Sequence, residues 1–120
     1  MRYVMPQEVE VWYIIPSIRR EFAIIMSKKG MPQKFIAEKL GITEAAVSQY
    51  IKNKRAHKIK FNQKTKKEIV VSVNRMLKNS HVITETQHIC NLLKQTLSIC
   101  QFHHIYDHDL PKDCKLCMVK

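Results

Sequence analysis

Apolar residues recur with a helical period along most of the chain. Ile18, Phe22, Ile25 and Met26 stand at i, i+4, i+7 and i+8, one face of an amphipathic helix. Lys28 and Lys29 occupy its last turn and Gly30 follows, a suitable C-terminal stop. Before it, Pro6 to Ile14 reads as a short helix with Glu8 and Glu10 early, where the helix dipole favours acids. Pro16 is expected to start a new segment. Pro32 opens a further helix with an apolar stripe of Phe35, Ile36 and Leu40, ended by Gly41. Thr43 is a suitable N-cap for a helix from Glu44 to about Asn53, and Lys52, Lys54 and Arg55 give it a basic end. Lys58 to Phe61 alternates charge with apolarity and reads as an extended connector or one short strand. From about Gln63 to Lys78, Ile69, Val70, Val73, Met76 and Leu77 repeat at helical spacing. Thr84 to Gln87 fits a capping box with Thr84 as cap, and Ile89, Leu93 and Leu97 follow on one side of a last helix. From about Ser98 the pattern fails, and Cys100, His103, His104, His108, Pro111, Cys114 and Cys117 crowd an irregular tail.

Composition agrees with this helical reading. Hydrophobic residues make up 45% of 120 residues, and only two glycines and four prolines interrupt them. That is enough apolar surface for a core and too few chain breakers for many strands. The expected fold class is mostly α, with residues 1–78 as one domain and residues 79–120 as a C-terminal helix and tail. Neither repeats nor low-complexity tracts occur. The N-terminus lacks a basic start followed by an apolar run, and Ile14-Ile15 and Ile24-Ile25-Met26 are short and flanked by charges. A cytoplasmic protein with no membrane span is expected.

Charge narrows the partner. The net charge is +11, from 21 basic and 10 acidic residues. Lys28 to Lys78 holds 14 Lys and Arg against Glu38, Glu44 and Glu68, so 14 − 3 = +11 falls in that stretch and the remainder sums to zero. Such a concentration favours a polyanion, whose counterions are released on contact.

The run Gln33 to Ile51, QKFIAEKLGITEAAVSQYI, gives that charge a context. Ala37 is small enough for two helices to cross closely. Gly41 stands where a turn needs a left-handed residue. Ile36, Leu40, Ile42, Val47 and Tyr50 or Ile51 are expected to point inward. Glu44, Ala45, Ser48, Gln49 and Lys52 are left outside, where a major groove would lie. The stretch MPQKFIAEKLGITEAAVSQYIKNKRA resembles the XRE family of phage-repressor-like regulators, with Pro32 where serine is usual and Asn53 where glycine is usual. The preceding EVEVWYIIPSIRREFAIIMSKKG is similar to the N-terminal part of short archaeal members. The resemblance covers roughly residues 6–56.

The resemblance implies a lambda-repressor-like helix-turn-helix domain that binds double-stranded DNA, as a homodimer on paired half-sites. Gln33 would contact phosphate or brace the second helix, and Thr43 would bind phosphate. Glu44, Ala45, Ser48 and Gln49 would face bases. Gln49 suits adenine, and the Ala45 methyl suits a thymine methyl. Lys52, Lys54 and Arg55 would hold the backbone. Glu44 at the head of the helix would repel phosphate unless it accepts a hydrogen bond from cytosine. The apolar face of the 84–97 helix is the candidate dimer contact.

Four cysteines, Cys90, Cys100, Cys114 and Cys117, lie in the last 31 residues, spaced C-x9-C-x13-C-x2-C. In an intracellular protein such cysteines point to metal ligation or free thiols rather than disulfides. On one straight helix Cys90 and Cys100 would be about 15 Å apart at ~1.5 Å per residue, so a centre using both requires the helix to end early. With Cys90, four thiolates suit an iron–sulfur cluster of the 4Fe-4S type, and the short archaeal regulators are similar in having cysteine-rich tails. Without it, Cys100, His103 or His104, Cys114 and Cys117 suit zinc. Catalytic carboxylate pairs, nucleophile–base arrangements and phosphate-cradling glycine loops do not occur, so an enzyme is not expected. The readings left open are a DNA-binding regulator sensing redox, oxygen or iron through a cluster, a DNA-binding adaptor with a structural zinc site, and an antitoxin-like DNA binder.

Overall fold

The computed structural model describes residues 5–52 and 59–95. The described chain is mostly helical: α1 (Pro6–Val9), a π turn (Glu10–Ile14), α2 (Ile15–Lys28), α3 (Gln33–Leu40), α4 (Glu44–Ile51), α5 (Gln63–Lys78) and α6 (Val82–Gln95). No strand occurs among the described residues. No helix among them is long and apolar enough to cross a membrane.

The first departure from expectation is at Pro16. It does not open a new segment. Residues 6–28 run on as one helix, and the proline is accommodated by the π turn before it. Pro16 has no N–H to give, and its ring would crowd the carbonyl four residues back in an α-helix. In the π turn the Ile15 N–H reaches the Glu10 carbonyl, five residues back, which widens the backbone where the ring must fit. The Ser17 hydroxyl donates to the Tyr13 carbonyl at 2.6 Å. At the start of the run, Pro6 takes the first helical position, and the Glu8 carboxylate accepts from the Met5 N–H at 3.0 Å.

α2 lies at the centre. Its Ile18, Phe22 and Met26, continued backwards by Ile14 and Val9, are completely buried, and α3, α4, α5 and α6 all pack on it. Ile36 and Leu40 of α3, Val47 and Tyr50 of α4, Ile69, Val73 and Met76 of α5, and Ile89, Cys90 and Leu93 of α6 complete one core. Residues on both sides of position 78 therefore share it. The connector at 59–62 has no regular secondary structure and alternates as its sequence suggests: Ile59 and Phe61 are buried, Lys60 and Asn62 exposed. Asn62 then caps α5, its Oδ1 accepting from the Thr65 N–H at 2.8 Å.

α6 corrects two expectations. It begins at Val82, so Thr84 is an ordinary helical residue rather than the cap. The His81 Nδ1 accepts from the Ile83 N–H at 3.1 Å instead. Glu85, which a capping box would leave at the surface, is only 3% exposed. It is held by Arg75, whose Nε and Nη2 both donate to Oε1 at 3.0 and 2.8 Å, and by the Ser80 hydroxyl on Oε2. This network closes the α5–α6 hairpin. The second correction concerns the apolar face of α6. Ile89 and Leu93 point into the core against α5 and α2, so in this chain that face is covered and is not a free dimer contact. Leu97 lies outside the described residues.

Burial works against the charge on Glu85, but the hydrogen bonds from Arg75, Ser80 and Ser72, together with the Arg75 charge, outweigh it and hold the carboxyl below its ordinary value. A carboxylate with a depressed folded-state pKa contributes stability that is complete above its unfolded pKa of about 4.3. That contribution is lost as pH falls through the lower folded value. Glu85→Gln is expected to lower stability at pH 7 by on the order of 2 kcal/mol and to flatten the acid limb of a urea-midpoint profile below about pH 4.3. An acid limb identical to that of the unsubstituted chain would show that Glu85 is not the linked group.

Candidate nucleic-acid interface

α3 and α4 are each eight residues long and are joined by a tight turn at Gly41. Gly41 adopts φ 66°, ψ 35°, the left-handed region that a residue with a Cβ enters only at a cost. Its N–H and that of Ile42 both reach the Ala37 carbonyl, closing the end of α3. Thr43 follows in an extended conformation, and its hydroxyl oxygen accepts from the Ala46 N–H at 3.1 Å. Gly41 and Thr43 thus stand in the conformations their residue types predict. Ala37 and Ala46, one from each helix, are both buried, so the two backbones can approach closely.

The faces of α4 divide cleanly. Ala46, Val47 and Tyr50 are buried in the core. Glu44, Ala45, Gln49 and Lys52 are exposed, and Ser48 is partly so. Positions 45, 48, 49 and 52 are i, i+3, i+4 and i+7 and lie on one side of a helix. Gln33, at the start of α3, and Thr43 are exposed as well. Glu44 sits in the first turn of α4, where the helix dipole favours a carboxylate. A local structural role therefore accounts for it without a base contact. Lys54 and Arg55 lie outside the described residues.

Lys39 has a different task from the other lysines of this region. Its ammonium donates to the Met76 carbonyl at 3.1 Å and lies 5.9 Å from the centre of the Phe35 ring. Met76 is in the last turn of α5, whose carbonyls lack partners within the helix. Lys39 thereby ties α3 to the end of α5. Its role has no signature in the sequence, because 37 positions separate donor from acceptor. In contrast, Lys28, Lys29, Lys34, Lys52, Lys60, Lys64, Lys66, Lys67 and Lys78 are exposed, and none forms an ion pair with a carboxylate among the described residues.

Of the cysteines, only Cys90 lies among the described residues. It is 1% exposed, on the inner face of α6 beside Ile89 and Leu93. Burial, and then the Glu10 carboxylate, push its thiol up to about 11, against a smaller opposing effect of Lys94. Lys94 itself pairs with Glu10 at 3.4 Å. Cys100, Cys114 and Cys117, with His103 and His104, lie outside the described residues. Among those described, no group of three or more His, Cys, Asp or Glu is placed to hold a metal ion.

Compared with known proteins, the chain matches no family model, no curated protein and no solved structure.

Removal of the Thr43 cap should cost about 1 kcal/mol. Thr43→Ala is expected to lower the unfolding free energy by that amount and Thr43→Ser to restore most of it, read by chemical denaturation. Equal losses in both variants would assign the effect to the methyl group rather than to the hydroxyl.

Proposed function

We propose that the chain is a sequence-specific DNA-binding regulator in which α3 and α4 act as a helix-turn-helix and α4 enters the major groove. The observation that carries this reading is the division of α4: Val47 and Tyr50 anchor it in the core while Ala45, Ser48, Gln49 and Lys52 face outward. A helix kept only for packing has no need of a solvent face that combines an amide, a hydroxyl, a methyl and a terminal cation. The chain's net charge of +11 supplies sequence-independent attraction to the duplex. Gln49 reads adenine through its amide, the Ala45 methyl packs on a thymine methyl, and Ser48 donates to or accepts from a neighbouring base edge. Gln33, Thr43 and Lys52 contact phosphates and set the register.

Selection of preferred duplexes from a random pool tests this reading. Gln49→Ala should relax preference at one base position by about 1–3 kcal/mol. Lys52→Gln should weaken all duplexes about equally and reduce the slope of log K against log salt by about 1. If neither variant changed binding to the selected duplex, α4 would not be the reading helix.

The position of Cys90 favours one of the two metal readings for the tail. A four-thiolate iron–sulfur centre needs Cys90, and that thiol is packed in the core with its pKa at about 11. A metal site made from Cys100, Cys114, Cys117 and either His103 or His104 leaves α6 intact. That donor set suits zinc, which would act as a structural ion. Cys90→Ala is therefore expected to retain the metal content of the unsubstituted chain, measured by elemental analysis after anaerobic purification. A folded Cys90→Ala chain that had lost its metal, or unsubstituted protein that contained iron and sulfide, would restore the four-thiolate reading.

A further inference from the structure

Away from the exposed face of α4, an open groove of about 530 Å³ lies where α2, the 59–62 connector and the first turns of α5 meet. Arg20 and Lys28 enter it from α2, Lys60 from the connector and Lys66 from α5. Glu21 is the only carboxylate among the described lining residues, and it lies 3.1 Å from Arg20. Four cations against one carboxylate leave the lining at +3. Ile24 and Ile59 supply an apolar wall.

This convergence is not explained by packing. The cations that the fold uses for its own cohesion are each engaged: Arg75 by Glu85, Lys94 by Glu10, and Lys39 by the Met76 carbonyl. Lys28, Lys60 and Lys66 are brought together from positions up to 38 residues apart (66 − 28), without an ion pair to a carboxylate among the described residues. Holding like charges together disfavours the folded state unless an anion joins them. The apolar wall lowers the local dielectric and strengthens attraction to such an anion.

We infer that this groove is a seat for phosphoryl oxygens, separate from the base-reading face of α4. Its volume lies within the range of small-ligand sites, about 300–1,000 Å³. A di- or triphosphate matches both its size and its charge. The same oxygens are presented by the backbone of a duplex, which could reach the groove only along its open side.

The test uses the full chain, with pyrophosphate as probe and chloride added to hold ionic strength constant. Pyrophosphate at ~10 times its Kd should raise Tm by about 5 °C. The double variant Lys60→Gln/Lys66→Gln should lose this rise and, without pyrophosphate, should melt no lower than the unsubstituted chain, because repulsion is relieved. Gln49→Ala should keep the full rise, so failure of the groove and failure of the α4 reading are distinguishable. If pyrophosphate has no effect but the double variant binds duplexes of any sequence at least ~10-fold more weakly, the phosphoryl groups come from the duplex. Equal melting shifts in both proteins, or no difference between them with either probe, would overturn the inference.

Discussion

Phe22 and its neighbours on α2 set the constraint on which the other elements depend. Ile14, Ile18, Phe22 and Met26 form a continuous buried stripe, and each such side chain contributes about 1.5–3 kcal/mol when removed from water. α3, α4, α5 and α6 all bury apolar faces against this one helix. The short helices α3 and α4, of eight residues each, are below the length at which isolated helices persist in water. They hold their shape because α2 gives Ile36, Leu40, Val47 and Tyr50 a surface to pack on. The outward face of α4 is therefore a product of α2: the anchoring of Val47 and Tyr50 leaves Ala45, Ser48, Gln49 and Lys52 no other direction.

Polar contacts refine this arrangement at the ends of helices. Lys39 reaches the last turn of α5, Glu85 joins α6 to the end of α5 through Arg75 and Ser80, and Lys94 joins the end of α6 to Glu10. Each makes use of a carbonyl or a carboxylate that the apolar packing has already brought within reach. Thr43 and Asn62 act locally and determine where α4 and α5 begin.

Features governed by neighbours in sequence were legible in the sequence itself. The α5 limits, the inward faces of α2 and α3, the left-handed Gly41 and the Thr43 cap all follow from periodicity or from the conformational preference of one residue. The exposed set Glu44, Ala45, Gln49 and Lys52 followed from the same periodicity. Features governed by distant partners were not legible. Pro16 reads as a boundary because its local effect is to break a helix, yet tertiary packing of Ile14 and Ile18 on one side keeps the run continuous through a π turn. Thr84 to Gln87 reads as a capping box because the pattern ignores Arg75, which draws Glu85 inward and moves the start of α6 back to Val82. The apolar face of α6 reads as free because no sequence rule says that α5 and α2 already cover it. The grouping of Lys28, Lys60 and Lys66 has no periodicity to reveal it.

The π turn at Glu10–Ile14 bears on how the chain tolerates change in length. Its hydrogen bonds span five residues where α-helical ones span four, so the turn holds one residue more than an α-helix would place there. In a straight α-helix each residue advances the surface by about 100°. Loss of one residue from this turn would let the run wind as a straight α-helix with Val9 still facing the core. A straight α-helix through all of the present residues would instead rotate everything before the turn by that angle, taking Val9 out of the core and Glu10 away from Lys94. The surplus residue is thus a phase adjustment. It lets one helix present two differently timed apolar patterns, Val9 before it and Ile18, Phe22 and Met26 after it, to a single interior.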